Sequence, residues 1–240
     1  MRDYKVEVEK RIEFIREVLS SANAAGVVFG NSGGKDSALV GILCKMACDN
    51  TVGVIMPCGT TQNYGSDKTD AEILAGQFGI ESRIVDLTKT RDEIVSAIGD
   101  ELNGSSASNI APRLRMTTLY AIAANENRLV VGTDNLSERY VGYFTKWGDG
   151  ACDFNPIADL TVTEVYEFLR YLNAPSGIID KAPSAGLFEG QTDEMEMGVS
   201  YRSIDAYLKG EAVNEADRAV IERLHRVSEH KRKLPPGIVR

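Results

Sequence analysis

The sequence predicts an α/β fold: a doubly wound, mostly parallel sheet with flanking helices. Three observations predict it. Short, near-continuous apolar runs, the kind buried on both faces of a parallel sheet, recur at residues 26–30, 51–56, 82–87 and 128–132. Stretches of helical length and spacing lie between them. The first apolar run passes through Gly30-Asn31-Ser32-Gly33-Gly34 straight into a helical pattern. Strand, glycine turn and helix in that order set backbone N–H groups and a helix N-terminus against an anion.

Taken in order, Val8, Ile12, Ile15 and Leu19 are spaced as one helix face and predict a helix over 4–21. The strand at 26–30 follows, then a helix over 36–48 on which Cys44 and Cys48 share a face. After the strand at 51–56, Ala71, Leu74, Ala75 and Phe78 line one face of a helix over 67–78. The strand at 82–87 leads to helices over 92–102 and 112–126, and the fourth strand is 128–132. From residue 141 the composition changes, with glycine and aspartate clustered at Gly148-Asp149-Gly150 and a helix predicted over 163–172. Residues 181–198 carry Gly, Pro and acidic residues without periodicity. They read as a long loop near the site, a lid that orders when ligand binds, or else a plain surface excursion. Two further helices are predicted over 201–208 and 214–230.

The 240 residues carry 27 Lys and Arg against 35 Asp and Glu, a net charge of −8. Such a chain lacks the basic footprint of a nucleic-acid or membrane-surface binder. Cys44, Cys48, Cys58 and Cys152 form no C-x-x-C pair, which points to a reducing compartment such as the cytoplasm. The charged start has no signal-peptide core, and no apolar run approaches the roughly 20 residues that span a bilayer.

In doubly wound sheets, ligands sit beyond the carboxyl ends of the strands. The chemistry-bearing residues fall there. Ser32-Gly33-Gly34-Lys35-Asp36-Ser37 follows the first strand. It is not a Walker loop: three residues, not four, separate Gly30 from Gly34, and Asp36 follows Lys35 where that motif has Ser or Thr. A carboxylate beside phosphates makes sense as a Mg2+ ligand. The alternative is that Ser32 or Asp36 merely caps the next helix. After the fourth strand, Thr133 offers a hydroxyl and Glu138 a second carboxylate opposite Asp36. Lys146 offers a compact cation, and Asp149 lies in a glycine-flanked turn. Arg113 and Arg115 cannot share a helix face; an arginine there suits a phosphate or carboxylate, or lies on a solvated face. His230-Lys231-Arg232-Lys233 is a basic cluster that reads equally as a solvated tail.

The motif SGGKDS resembles the PP-loop of the ATP pyrophosphatase superfamily. Together with NIAPRLRM-x-x-LY, GTDN-x-SE, GYFTKWGDG-x-x-D-x-x-P, KAPSAGL and GQTDEMEMG, in that order, it resembles the ammonia-dependent NAD synthetase family over nearly the whole chain. The resemblance implies a Rossmann-like PP-loop fold, one synthetase domain over 1–240 without a glutaminase domain, and a homodimer. It also implies a ligase that amidates deamido-NAD with ammonia through an adenylated intermediate, releasing AMP and pyrophosphate. Carried over residue by residue, Gly30, Asn31, Ser32, Gly33, Gly34, Lys35, Asp36 and Ser37, with Thr133 and Ser184, contact ATP. Asp36 and Glu138 bind Mg2+. Arg113, Lys146, Asp153, His230 and Lys231 contact deamido-NAD, and Asp36, Lys146 and Asp149 are the residues expected at the chemistry. One position departs from the family: a lysine that contacts ATP phosphate is replaced by Val162, leaving Lys35 or Lys181 to supply the charge.

Overall fold

The computed structural model describes residues 2–59, 64–99, 102–181 and 192–238. Strands β1 (Gly26–Gly30), β2 (Thr51–Ile55), β3 (Glu81–Ile84) and β4 (Arg128–Val130) form a parallel sheet in the order β3-β2-β1-β4. The registers Val28↔Val52, Val28↔Val130 and Val54↔Arg83 fix the three pairings. The strand order reverses between β1 and β4, and that switch point is where this architecture leaves a crevice for a ligand. The expected doubly wound sheet is therefore borne out.

Helices α1 (Tyr4–Ser21), α2 (Lys35–Ala47) and α8 (Val162–Tyr171) cover one face. Alternation along β1 decides the sides. Val27 and Phe29 pack with Ile15, Leu39, Ile42 and Phe168, whereas Val28 joins Val52, Val54, Val130 and the α6 (Ile110–Glu126) residues Leu119 and Ala123 on the other face. Between β2 and α6 run α3 (Ser66–Phe78), α4 (Thr88–Ile98) and the short α5 (Gly104–Ser108). Beyond β4 come α7 (Leu136–Val141), α8, α9 (Ser176–Ile179), α10 (Asp193–Met197), α11 (Tyr201–Leu208), α12 (Glu215–Val227) and α13 (Glu229–Arg232). Val141, Val162, Met197, Tyr201, Ile204 and Ile221 build a separate apolar cluster among these last helices.

A buried carboxylate ties that cluster to the sheet side. Asp205, 3% exposed, accepts hydrogen bonds from the Ser137 hydroxyl of α7 and from the Thr163 amide (2.8 Å) and hydroxyl (2.6 Å) of α8. Stripping it leaves the buried Ser137 hydroxyl without this partner, at about 1–3 kcal/mol for a buried group left unsatisfied, and removes two bonds from the exposed Thr163, whose donors water can reach. Asp205→Ala is accordingly expected to lower the unfolding free energy in denaturant by about 2 kcal/mol, and Asp205→Asn by less. A change below about 1 kcal/mol for the alanine variant would show that water takes over the lost bonds.

Several expected boundaries move. The helix expected over 92–102 is α4, four residues earlier at each end. The Asp86 carboxylate takes the Thr88 amide at 2.9 Å, and Gly99 closes the helix in the left-handed region at φ 75°. The helix expected over 214–230 breaks at Ser228, whose hydroxyl lies 2.6 Å from Leu224 O and 3.2 Å from Val141 O. Gly142, at φ 73°, lets α7 come this close: a Cβ there would sit 2.1 Å from that of Ser228. Within the loop expected over 181–198, α10 is helical. Residues 182–191, and with them Ser184 and most of the expected lid, lie outside the described residues.

Candidate active site

The first strand delivers its turn to the crevice. Gly33 takes φ 72° and packs its Cα against α3, where a Cβ would meet Asp67 O at 2.2 Å. The Ser32 and Ser37 hydroxyls lie 3.0 Å apart, and Ser32 Oγ accepts from Gly34 N at 3.3 Å. Gly34 is the N-cap of α2 and no side chain caps the helix. Neither Ser32 nor Asp36 thus plays the plain capping role, and the positive end of α2 faces the crevice.

Asp36 in the first turn of α2 meets Glu138 from α7. Between them lies the Lys35 ammonium, 2.6 Å from Asp36 Oδ2 and 3.1 Å from Glu138 Oε1. Asn135, fully buried, holds both acids. Its Nδ2 donates to Asp36 Oδ1 at 3.0 Å, while its backbone and side chain close a capping box with Glu138. Tyr201 donates to Asp193 Oδ2 at 3.0 Å, stands 3.5 Å from Glu138 Oε1 and presents its ring centroid 5.5 Å from Lys35 Nζ.

Burial alone would lower the Lys35 ammonium, but Asp36 and Glu138 outweigh it and hold the lysine charged. Burial and then Asp36 push the Glu138 carboxyl up to about 8, with Lys35 pulling the other way. Burial, with Glu138 and Asp193 nearby, raises the Tyr201 phenol, so it remains a donor. Two carboxylates share one ammonium, an arrangement short of positive charge. Among the described residues no group of three or more His, Cys, Asp or Glu converges on a point. A pair of hard oxygen donors already gathered round a cation nevertheless fits Mg2+, which takes much of its shell from phosphates and water.

The cleft has a volume of about 900 Å³, near the upper end for small-molecule sites. Gly30, Asn31, Ser32, Gly34, Lys35, Asp36, Ser37, Thr133, Glu138, Asp149 and Lys231 all line it, as expected of site residues. Arg115 does as well, with its Nε donating to Met56 O at 3.1 Å. Of the two α6 arginines it is this one that turns inward. Arg113 is exposed and donates from Nε and Nη2 to Lys146 O at 3.4 and 3.3 Å. Lys146 Nζ in turn donates to His230 O at 2.6 Å, so Arg113, Lys146 and His230 form a chain that the structure does not bring into the cleft. Asp153 also lies outside it. Its carboxylate accepts from Val130 N at 2.7 Å and Tyr120 Oη at 3.2 Å, pairing with the edge strand β4.

Lys231 donates to Gly142 O at 2.8 Å and Phe144 O at 2.7 Å, and burial lowers its ammonium. Val162 is buried in the cluster around Tyr201 and brings no charge. Lys181 lines the cleft but is paired with Asp67 at 2.7 Å and Asp70 at 2.9 Å. Sequence reasoning missed Asn135, Asp193 and Tyr201 as site residues. Asn135 had a readable signal, the N-x-x-E capping-box spacing to Glu138. The other two reach the site through tertiary packing alone.

The sequence pattern of the family described as NAD synthase matches residues 7–235. The chain belongs to the NAD synthase family. An NH(3)-dependent NAD(+) synthetase of Alkaliphilus oremlandii is 45% identical, over 96% of this chain and 95% of that one. Among solved structures, NMN synthetase from Francisella tularensis superposes with a TM-score of 0.95 at 38% identity, covering 99% of both chains. The NH3-dependent NAD synthetase of Campylobacter jejuni gives 0.85 at 29% identity, over 99% of this chain and 100% of that one. As a member of the NAD synthase family, the chain is an enzyme of the ligase class. None of its described helices is long and apolar enough to cross a membrane.

Proposed function

We propose that this chain amidates deamido-NAD with ammonia at the expense of ATP, making NAD, AMP and pyrophosphate. The observation that carries the reading is the convergence of Asp36 and Glu138 on one cation beside the uncapped N-terminus of α2, in a chain of the NAD synthase family. ATP lies with its phosphates on the Ser32–Ser37 turn. A nicotinate carboxylate oxygen attacks the α-phosphorus, the bond to the bridging oxygen breaks, and pyrophosphate leaves with its electron pair. Ammonia then adds to the acyl carbon of the adenylate, AMP leaves, and the surplus proton passes to a base, a role proposed for Asp149, which lines the cleft. Asp36 and Glu138 would hold Mg2+, which neutralises phosphate charge when bound.

An anion must approach a polyanion here, so Arg115 and Lys35 within the cleft and the α2 terminus hold the reactants together. Ser184 is proposed as a further ATP contact. Arg113, Lys146, Asp153, His230 and Lys231 are proposed to contact the dinucleotide, the three linked ones as a rim. A homodimer is proposed too. Leu114, Tyr120 and Ile122 of α6 pack on the core but remain partly exposed, and a helix apolar round much of its surface buries more than one face. Four free cysteines suit a reducing cytoplasm.

The test is product analysis on the purified chain with Mg2+ and ATP. NAD, AMP and pyrophosphate should form in equal amounts with ammonium, and glutamine should support less than about a tenth of that rate, since a glutaminase is typically a separate domain of 100 or more residues. Sedimentation of the same sample should place the activity in a two-chain species. ADP and phosphate as products would refute the reading. Because the Francisella relative is named for the mononucleotide product, nicotinic acid mononucleotide is run beside deamido-NAD, and preference for it would reassign the substrate.

A further inference from the structure

Lys35 is not oriented like a residue waiting for a phosphate. Its side chain is 7% exposed, and its ammonium is bound to both carboxylates that the proposed function gives to the metal, each of which is itself only 13–14% exposed. A divalent ion in that place needs the same oxygens, at about 2.0–2.1 Å for Mg2+. An ammonium already 2.6 Å from one of them and 3.1 Å from the other cannot stay, because two cations sharing those ligands would stand about one ligand length apart, in a site of low dielectric. Lys35 also has somewhere to go. Its four-carbon stem is flexible and its charge compact, its Cα lies in the first turn of α2, and the same turn faces the anion-binding crevice.

We propose that Lys35 is a tethered counter-cation. In the empty enzyme it fills the divalent site and keeps metal alone out, and when Mg2+ arrives with nucleotide it is displaced onto a phosphate of that nucleotide. The inference rests on the assignment of Asp36 and Glu138 as metal ligands made above. It gives the chain a preference for the metal–nucleotide complex over either component, because neither the freed lysine nor the added charge of the metal is compensated without the phosphates.

The test uses the whole chain at one fixed pH, with Mn2+ as probe and no nucleotide. Loss of the free Mn2+ paramagnetic resonance signal should show Lys35→Met binding the ion at least about tenfold more tightly than the unaltered chain. Adding Glu138→Gln to that variant should remove the gain. Equal or weaker affinity for Lys35→Met, or a gain that survives Glu138→Gln, overturns the proposal. Should Lys35→Met fail to fold, the unaltered chain decides. Reductive methylation followed by peptide mass mapping should find Lys35 shielded alone, labelled at least about threefold more with saturating Mn2+, and shielded again with Mn2+ and α,β-methylene ATP. Labelling indifferent to Mn2+ overturns the displacement, and labelling that stays high with the analogue overturns the phosphate contact. None of these readouts requires turnover. A metal response without NAD formation would count against the proposed function alone, and NAD formation without a metal response against the counter-cation alone.

Discussion

Glu138→Gln and Asp36→Asn are each expected to slow pyrophosphate release from ATP by more than about a hundredfold. Two carboxylates that place a metal on the transferring phosphoryl group act mainly as charge builds up, and losing such a contact costs about 3 kcal/mol of the barrier, a factor of a hundred or more. The amides are the informative variants, because alanine does two things at once. Glu138→Ala also removes the capping box of α7, and Asp36→Ala removes the acceptor for Asn135 Nδ2, losses that act on folding; the loss of one carboxylate beside the buried Lys35 is common to both kinds of variant. Glutamine keeps the oxygen that Asn135 N donates to. Rates are to be normalised to folded protein by circular dichroism. A loss of tenfold or less in both would put the metal elsewhere in the cleft.

Gly33→Ala should be as damaging by a different route. Gly33 has φ 72°, and a methyl there would lie 2.2 Å from Asp67 O, backbone against backbone. Neither the turn nor the start of α3 can yield without moving the N–H groups proposed above to receive the phosphates. Displacement by about 1 Å at a positioning element costs on the order of a hundredfold in rate. Gly79 supplies the control. It too is left-handed, at φ 64°, but nothing lies within 4 Å of its added Cβ, so Gly79→Ala should cost about 1 kcal/mol of stability and leave the rate alone. Pyrophosphate release from Gly33→Ala within tenfold of the parent would mean that the turn does not cradle the phosphates.

The legible parts of the sequence were those in which local pattern and tertiary role coincide. β1 and β2 were legible because Val27-Val28-Phe29 and Val52-Gly53-Val54 are buried on both sides, as a parallel sheet demands, whereas β3 is largely exposed and β4 only partly buried. Their ends were less plain. Residues past β3 still hydrogen-bond to β2, Val85 N to Ile55 O at 2.9 Å, without continuing as strand. The six-residue α7 is too short for periodicity to reveal, although its capping box was present in the letters. The break at Ser228 depends on Gly142 pressing against it, a contact between residues far apart in sequence. At the site, Asp36 and Glu138 were readable because each follows a strand end at the switch point. Lys35 between them was not, since a motif gives the position of a side chain and not its aim. The rim is similar: Arg113 and Arg115 are two residues apart on one helix, so one turns in and the other out, and spacing alone does not choose.

The register of the sheet sets the tempo at which this molecule assembles. Val28 pairs on one side with Val52, but on the other with Val130, about a hundred residues along the chain. Closing so long a loop is an entropic cost that no local helix repays, and parallel sheets built from such distant partners fold slowly. During synthesis β1 and β2 leave the ribosome well before β4, so one edge of the central strand waits without its neighbour while the intervening helices form. Asn135 and Glu138 lie just beyond β4, so Glu138 can join Lys35 and Asp36 only after that strand has been made. A chain stalled before β4 carries the glycine turn but not Glu138, the second of the two carboxylates proposed above to hold the metal.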